Sequence, residues 1–161
     1  MLSDTHGLLD SFILKYTAEA DEIWHAGDIG GNKVLQSLEQ IGKPIRGVFG
    51  NIDGQEIRSV FPEILKFTLE GVNVLMTHIG GYPEHYPSKI KSLITSIKPS
   101  IFICGHSHIL RVIYDKDLKV LTLNPGAAGI EGFHQKRTML RFCISPEQGI
   151  YQMEIIEKEK N

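Results

Sequence analysis

The stretch EIWHAGDIGGNKVLQSLEQIGKPIRGVFGNID, residues 22–53, decides the fold. It opens on a short apolar run, Glu22–Ala26, passes through Gly27-Asp28 and a glycine pair, and then places aliphatic residues at helical spacing from Asn32 to Ile41. A second apolar run, Pro44–Phe49, follows a Gly-Lys-Pro turn and ends on Gly50-Asn51. Strand, helix and strand in this order predict a parallel pair with its helix outside. Upstream, Leu9–Ala20 reads as a helix and Met1–Ser3 as a strand stub, which extends the unit to βαβαβ. A central strand usually runs to about 5–6 residues, so the stub carries the expectation that the native first strand extends upstream of Met1 and is truncated here.

Beyond Pro62 the pattern becomes strand-rich. ILKFTLE and VNVLMTH are joined through Glu70-Gly71, a hairpin signal. A helix is expected near Pro87–Ile97, then the apolar strand Ile101–Cys104, then strands Leu110–Tyr114, Lys119–Leu123, Thr138–Ile144 and Ile150–Ile156, with EKEKN as a solvated charged tail. Helix-bearing parallel strands followed by antiparallel hairpins predict an α/β protein of two packed mixed sheets with helices on their outer faces. No repeat or linker interrupts the chain, so residues 1–161 read as a single domain.

Composition narrows the classes. With 161 residues, 42% of them hydrophobic, the chain can bury a sizeable core without disulfides. Seventeen basic against nineteen acidic residues, a net charge of −2, argue against general nucleic-acid binding. No apolar run approaches the ~20 residues of a membrane helix and no signal-peptide pattern opens the chain, so the expectation is a cytoplasmic protein without membrane contact. Cys104 and Cys143 lie in apolar runs and read as buried core thiols.

The seven histidines are the unusual feature. Open α/β sheets place their sites at the C-terminal ends of strands, and five predicted strand ends carry polar donors: Asp4 and His6, Asp28, Asn51, His78, and His106 with His108. Two divalent ions about 3.5–4 Å apart need a carboxylate that bridges them and donors that do not overload the site with charge. Asp28 is the bridge candidate. Imidazole, carboxylate and carboxamide donors without thiolate suit Mn²⁺, Fe²⁺, Co²⁺, Ni²⁺ or Zn²⁺, and two divalent ions, Mn²⁺ first among them, are the expected cofactors.

Taken in order, SDTHG, HAGD, GNID, TH and CGHSH, spanning residues 3–108, resemble the calcineurin-like metallophosphoesterase superfamily. The short chain and the Asn124-Pro125-Gly126 step resemble its small single-domain bacterial and archaeal phosphodiesterases, relatives of the retromer subunit Vps29. The resemblance implies a four-layer αββα sandwich. It implies one ion held by Asp4, His6, Asp28 and His108, and a second held by Asp28, Asn51, His78 and His106. It also implies hydrolysis of a small phosphodiester substrate through in-line attack by a bridging hydroxide, with Asp28, Asn51, Asp53 and His78 as the catalytic set. Homo-oligomerisation is compatible with this reading. A phosphomonoesterase or nucleotide phosphatase, and a non-catalytic scaffold of the Vps29 kind, are the alternatives.

Two departures from the family pattern matter. Many members carry a histidine, read as the leaving-group acid, where this chain has Ile52, which weakens a monoesterase reading. Asp53 then reads as a support for Asn51 or a liganding histidine rather than as a ligand. Only the first histidine of an expected H-G-H is kept, at His78, so the loop Ile79–Pro87 with Tyr82, His85 and Tyr86 reads either as a closure over substrate or as plain surface. His25 is a hydrogen-bond partner of the centre or a packed strand residue. His134 is expected in an exposed loop, with phosphate contact by Lys136 or Arg137 a lesser reading, and Trp24 belongs to the core.

Overall fold

The computed structural model describes residues 1–160. Four helices, α1 (Ser11–Ala18), α2 (Asn32–Glu39), α3 (Gln55–Arg58) and α4 (Ser88–Ile97), alternate with strands β1 (Ile23–His25), β2 (Ile45–Gly47), β3 (Ile64–Leu69), β4 (Val72–Thr77), β5 (Ile101–Ile103), β6 (Leu110–Asp115), β7 (Val120–Pro125), β8 (Lys136–Ser145) and β9 (Gly149–Glu159). One sheet runs β3-β4-β5-β7-β6, parallel through β4, β5 and β7 and antiparallel at both edges.

The other sheet is assembled around the first three residues. Leu2 donates to Trp24 O at 2.8 Å and accepts from Ala26 N at 2.9 Å, which places it beside β1, itself parallel to β2. On its other side Met1 exchanges backbone hydrogen bonds with Leu140 of β8 at 2.8 and 3.0 Å. The order is therefore β2-β1-(1–3)-β8-β9, a mixed sheet whose two halves are joined by residues 1–3.

Alternation along the strands makes the layers. On β1, Ile23 packs with Val34, Leu35 and Leu38 of α2 and Ile13 of α1, whereas Trp24 turns the other way, to Val74 and Met76 of β4. On β8, Met139 joins the first group and Leu140 the second. On β4 and β5, Leu75 and Phe102 leave the inter-sheet core to meet Ile90 and Ile94 of α4. Successive side chains point to opposite faces of a strand, so three apolar layers separate helices, sheet, sheet and helix. This is the αββα sandwich, and it explains why Val74–Met76 and Ile101–Cys104 are unbroken apolar runs: both of their faces are buried.

Two expectations are corrected, and one short element is added: α3, whose four residues are too few for a helical periodicity. Cys143 is exposed, because the β8–β9 ribbon shifts register between Arg141 and Cys143 and leaves one face to solvent. Glu157–Glu159 are strand rather than tail: β9 pairs with β8 out to Lys136↔Glu159, and Asn161 lies outside the described residues. Among the described residues no helix is long and apolar enough to cross a membrane.

Asp10 fastens α1 to the sheet. Its Oδ1 accepts from Ile13 N at 3.2 Å as the helix N-cap, and its two oxygens receive Arg137 Nη1 and Nη2 at 2.8 and 3.0 Å. The Arg137 hydrogen bond leads the effects that hold the carboxyl at about 2. A depressed folded pKa stabilises above the unfolded value near 4 and is lost as pH falls from there to about 2. Arg137 is 3% exposed, so Asp10→Ala strands a buried cation and removes a cap. It is expected to cost about 3 kcal/mol in chemical denaturation at neutral pH, with the deficit shrinking across that acid window.

Candidate metal centre

Each candidate residue leaves a strand at the same end of the sandwich. Asp4 and His6 follow the central residues 1–3, Asp28 follows β1, Asn51 follows β2, His78 follows β4, and His106 and His108 sit between β5 and β6. Asp4, His6, Asp28, His106 and His108 all have positive φ, between 47° and 66°. Left-handed backbone costs an L-residue roughly 1–2 kcal/mol, and such strain persists where surrounding structure imposes it, commonly at functional sites. Glycines leave room for the approach: a Cβ on Gly50 would collide with the Asp28 carboxylate, and one on Gly27 would lie 2.6 Å from His78 Nδ1.

Two clusters result. In the first, Asp4 Oδ1 lies 3.3 Å from His108 Nε2 and 3.8 Å from His6 Nε2, and the two imidazole nitrogens are 3.3 Å apart. In the second, His78 and His106 meet edge to face at 5.3 Å between ring centroids, and Asp28 Oδ1 lies 3.3 Å from His78 Nε2. Ligating atoms within each group, Asp4-His6-His108 and Asp28-His78-His106, all lie within 4.8 Å of one another. Asn51 Oδ1 joins the second at 3.1 Å from His78 Nε2. Asp28 serves both: while Oδ1 faces His78, Oδ2 lies 3.6 Å from His6 Nε2.

The donor set fits cations. Asp4 Oδ1 is buried and accepts no hydrogen bond, although Oδ2 of the same carboxylate receives His106 N at 3.1 Å. A buried carboxylate oxygen without a donor is costly, and a cation between Asp4, His6 and His108 would satisfy it. Protein charges answer the anions in part. Burial works against a charged His78, but the Asp28 carboxylate prevails and raises its pKa; pairing with Asp4 raises that of His108. Asp28 is lowered, burial being outweighed by His78 and by the Ile52 N–H donor at 3.1 Å.

A buried network holds these groups. Asp53 points its oxygens at backbone amides, accepting from Gly50 N at 2.7 Å, Gly30 N at 2.8 Å and Ile29 N at 3.2 Å. It ties the Asp28 loop to the Asn51 loop and sits among the positioning groups rather than the ligating ones. His25 is fully buried; its Nδ1 accepts from Gly27 N at 3.2 Å, so Nε2 carries the proton and donates to Thr5 Oγ1 at 3.0 Å. Burial keeps it neutral by lowering its pKa to about 4. His78 is oriented by its own Nδ1–H, which donates to Ala26 O at 2.8 Å.

Other residues fall elsewhere. Lys136 pairs with Glu157 at 2.6 Å and Arg137 is committed to Asp10, so neither is free for phosphate. Tyr86 hydrogen-bonds Thr122 and packs on Phe102, while Tyr82 is held between His85 and the Arg111 guanidinium, 3.9 Å from its centroid. Trp24 lies between the sheets, edge-on to Phe67 and Phe142. His134 is closer to the centre than its sequence suggested: its ring stands 5.2 Å from that of His108, and its Nδ1 is buried without a partner. The only local signal was its glycine-rich loop, because the contact spans 26 positions.

Residues 1–147 match the profile of the calcineurin-like phosphoesterase superfamily domain, and the chain belongs to that superfamily. The fold has solved counterparts. An archaeal protein described as a novel phosphodiesterase superposes with a TM-score of 0.75 at 19% identity, covering 98% of this chain and 97% of that one. Wild-type Vps29 from Entamoeba histolytica, solved with Zn²⁺, gives 0.73 at 14% identity over 99% and 97%. A predicted phosphoesterase from Streptococcus pneumoniae gives 0.64 at 19% identity over 98% and 95%. A comparison with curated proteins by sequence gives no match.

Proposed function

We propose that the protein is a binuclear metal-dependent phosphodiesterase. The observation that carries this reading is Asp28, which offers one carboxylate oxygen to each of two clusters. Two divalent ions bound there would neutralise phosphate oxygens and lower the pKa of water enough to furnish a nucleophile at neutral pH. Asp4, His6 and His108 would hold one ion and Asn51, His78 and His106 the other, with Asp28 shared. Two carboxylates against two divalent cations leave the centre positive, which attracts a phosphate anion. Nitrogen and oxygen donors without thiolate suit Mn²⁺, Fe²⁺, Co²⁺, Ni²⁺ or Zn²⁺ alike, and Mn²⁺ is the ion proposed for the first tests.

Among the described residues no histidine replaces Ile52 as a leaving-group acid, so esters with good leaving groups are favoured, and the archaeal phosphodiesterase that shares this fold supports a diester over a monoester. Ile52 is exposed and cannot protonate a leaving group. His134 donates its Nε2–H to Gly129 O at 3.1 Å, and burial lowers its pKa, so at neutral pH Nδ1 is a bare acceptor. With Mn²⁺ added, bis-nitrophenyl phosphate is expected to be hydrolysed at least about tenfold faster than nitrophenyl phosphate. A preference for the monoester would overturn the diester assignment.

One observation favours a second reading, a non-catalytic scaffold. Ile52, Ile79 and Ile109, each directly following a residue of the centre, are exposed, as are Ile130 and Phe133. An apolar rim of this kind suits a protein partner, and Vps29 shares the fold. A protein that binds two equivalents of metal yet hydrolyses neither nitrophenyl ester would be this scaffold.

A further inference from the structure

We infer that the open cleft beside Asn51 and His78 seats one ester arm of the substrate, and that this arm is a nucleoside. The inference rests on the diesterase reading above and adds the substrate class to it. The cleft has a volume of about 460 Å³, within the roughly 300–1,000 Å³ of small-ligand sites. Asn51 and His78 line both the cleft and the centre, so a phosphate drawn to the centre leaves one of its ester arms next to the cleft.

The lining suits a flat ring with apolar faces and a polar edge. Phe49, Ile64, Ile79 and Ile90 form apolar walls, and Ile79 is 48% exposed although it adjoins His78. Glu63 and Lys89 also line the cleft, as an ion pair at 3.1 Å, and so offer an acceptor and a donor to heteroatoms on a base edge. Arg58 is fixed beside them before any ligand arrives. Its guanidinium lies 4.2 Å from the Phe49 ring centroid, Nε donates to Asp53 O at 2.6 Å and Nη2 to Gly50 O at 3.3 Å. That leaves Nη1 without a hydrogen bond among the described residues. A preorganised cation spends little rotamer entropy on binding, and here it neighbours the groups through which the phosphate and sugar of the arm would pass. A simple alkyl arm would use neither the polar pair nor the length of the walls.

Two pairs of probes separate the cleft from the chemistry. Calorimetric titration of the Mn²⁺-loaded protein compares thymidine 5′-monophosphate with methyl phosphate, and kinetics compare thymidine 5′-(4-nitrophenyl phosphate) with methyl 4-nitrophenyl phosphate, which share a leaving group. The nucleoside ligand is expected to bind about tenfold more tightly and its diester to show a KM lower by about the same factor. Ile79→Gln and Ile64→Gln should bring both ratios close to one; Ile79 is exposed, so its variant keeps the fold, and thermal unfolding checks both. Equal binding of the two monophosphates, or a nucleoside preference that survives in both variants, overturns the assignment. A binding preference lost in the variants, with neither diester hydrolysed, upholds the cleft and sinks the diesterase reading; hydrolysis of both diesters with equal KM does the reverse.

Discussion

Asp28→Asn is expected to empty both halves of the centre at once: metal content after dialysis should fall from two equivalents toward none, and hydrolysis of an activated diester should drop by about 10³-fold or more. The expectation follows from geometry. One Asp28 oxygen lies 3.3 Å from His78 Nε2 and the other 3.6 Å from His6 Nε2, so the carboxylate is the one side chain of the set that addresses both clusters. Asparagine keeps the shape but supplies a neutral carboxamide, which removes one of the two negative charges opposing four positive ones and turns one oxygen into a donor. His6→Ala is the contrast, since His6 belongs to the first cluster; it should lose about one equivalent and leave the second. If Asp28→Asn retains two tightly held ions, the bridging role is wrong, whatever happens to the rate. Far-ultraviolet circular dichroism distinguishes a loss of metal from a loss of fold.

The convergence of the candidate residues was legible in the sequence because they are tethered to the strongest local signals in the chain. Asp28, Asn51, His78 and His106 each stand just beyond a short apolar run, and a parallel α/β sheet gathers the far ends of such runs at one edge. The four layers were legible for a related reason. Leu75 between Val74 and Met76, and Phe102 between Ile101 and Ile103, are apolar on both faces of their strands, which only a sheet covered on both sides accommodates. What escaped the reading depends on contacts between distant residues. Asp10 and Arg137 are 127 positions apart, and nothing near either announces the other. The approach of His134 to His108 and the cleft between β3, β4 and α4 arise from packing, not from any periodicity. Residues 157–159 looked like a solvated tail because their charges alternate, yet backbone pairing with β8 settles them as strand whatever their side chains do in solvent.

Ile52→His is expected to raise the monoesterase-to-diesterase ratio by about 10²-fold when the monoester has a poor leaving group such as phenol, and by much less with nitrophenol. A general acid matters in proportion to the basicity of the departing oxygen, so the dependence on the leaving group, not the absolute rate, is the diagnostic. The backbone at this position is already placed: Ile52 N donates to Asp28 Oδ1 at 3.1 Å, which fixes residue 52 against the shared carboxylate. Its side chain is 47% exposed, so an imidazole can replace it without entering the core and without being pushed toward neutrality by burial. The histidines outside the proposed ligand set, His25, His85 and His134, have other contacts. His85 lies against Tyr82 in the loop after β4, with ring centroids 4.6 Å apart. His134 presents an unprotonated Nδ1, because its Nε2–H is committed to Gly129 O. Should the unaltered protein hydrolyse phenyl phosphate as readily as nitrophenyl phosphate, a proton is reaching the leaving group from elsewhere and the argument from Ile52 falls. His134→Ala then becomes decisive, since a steepened leaving-group dependence in that variant would identify the source.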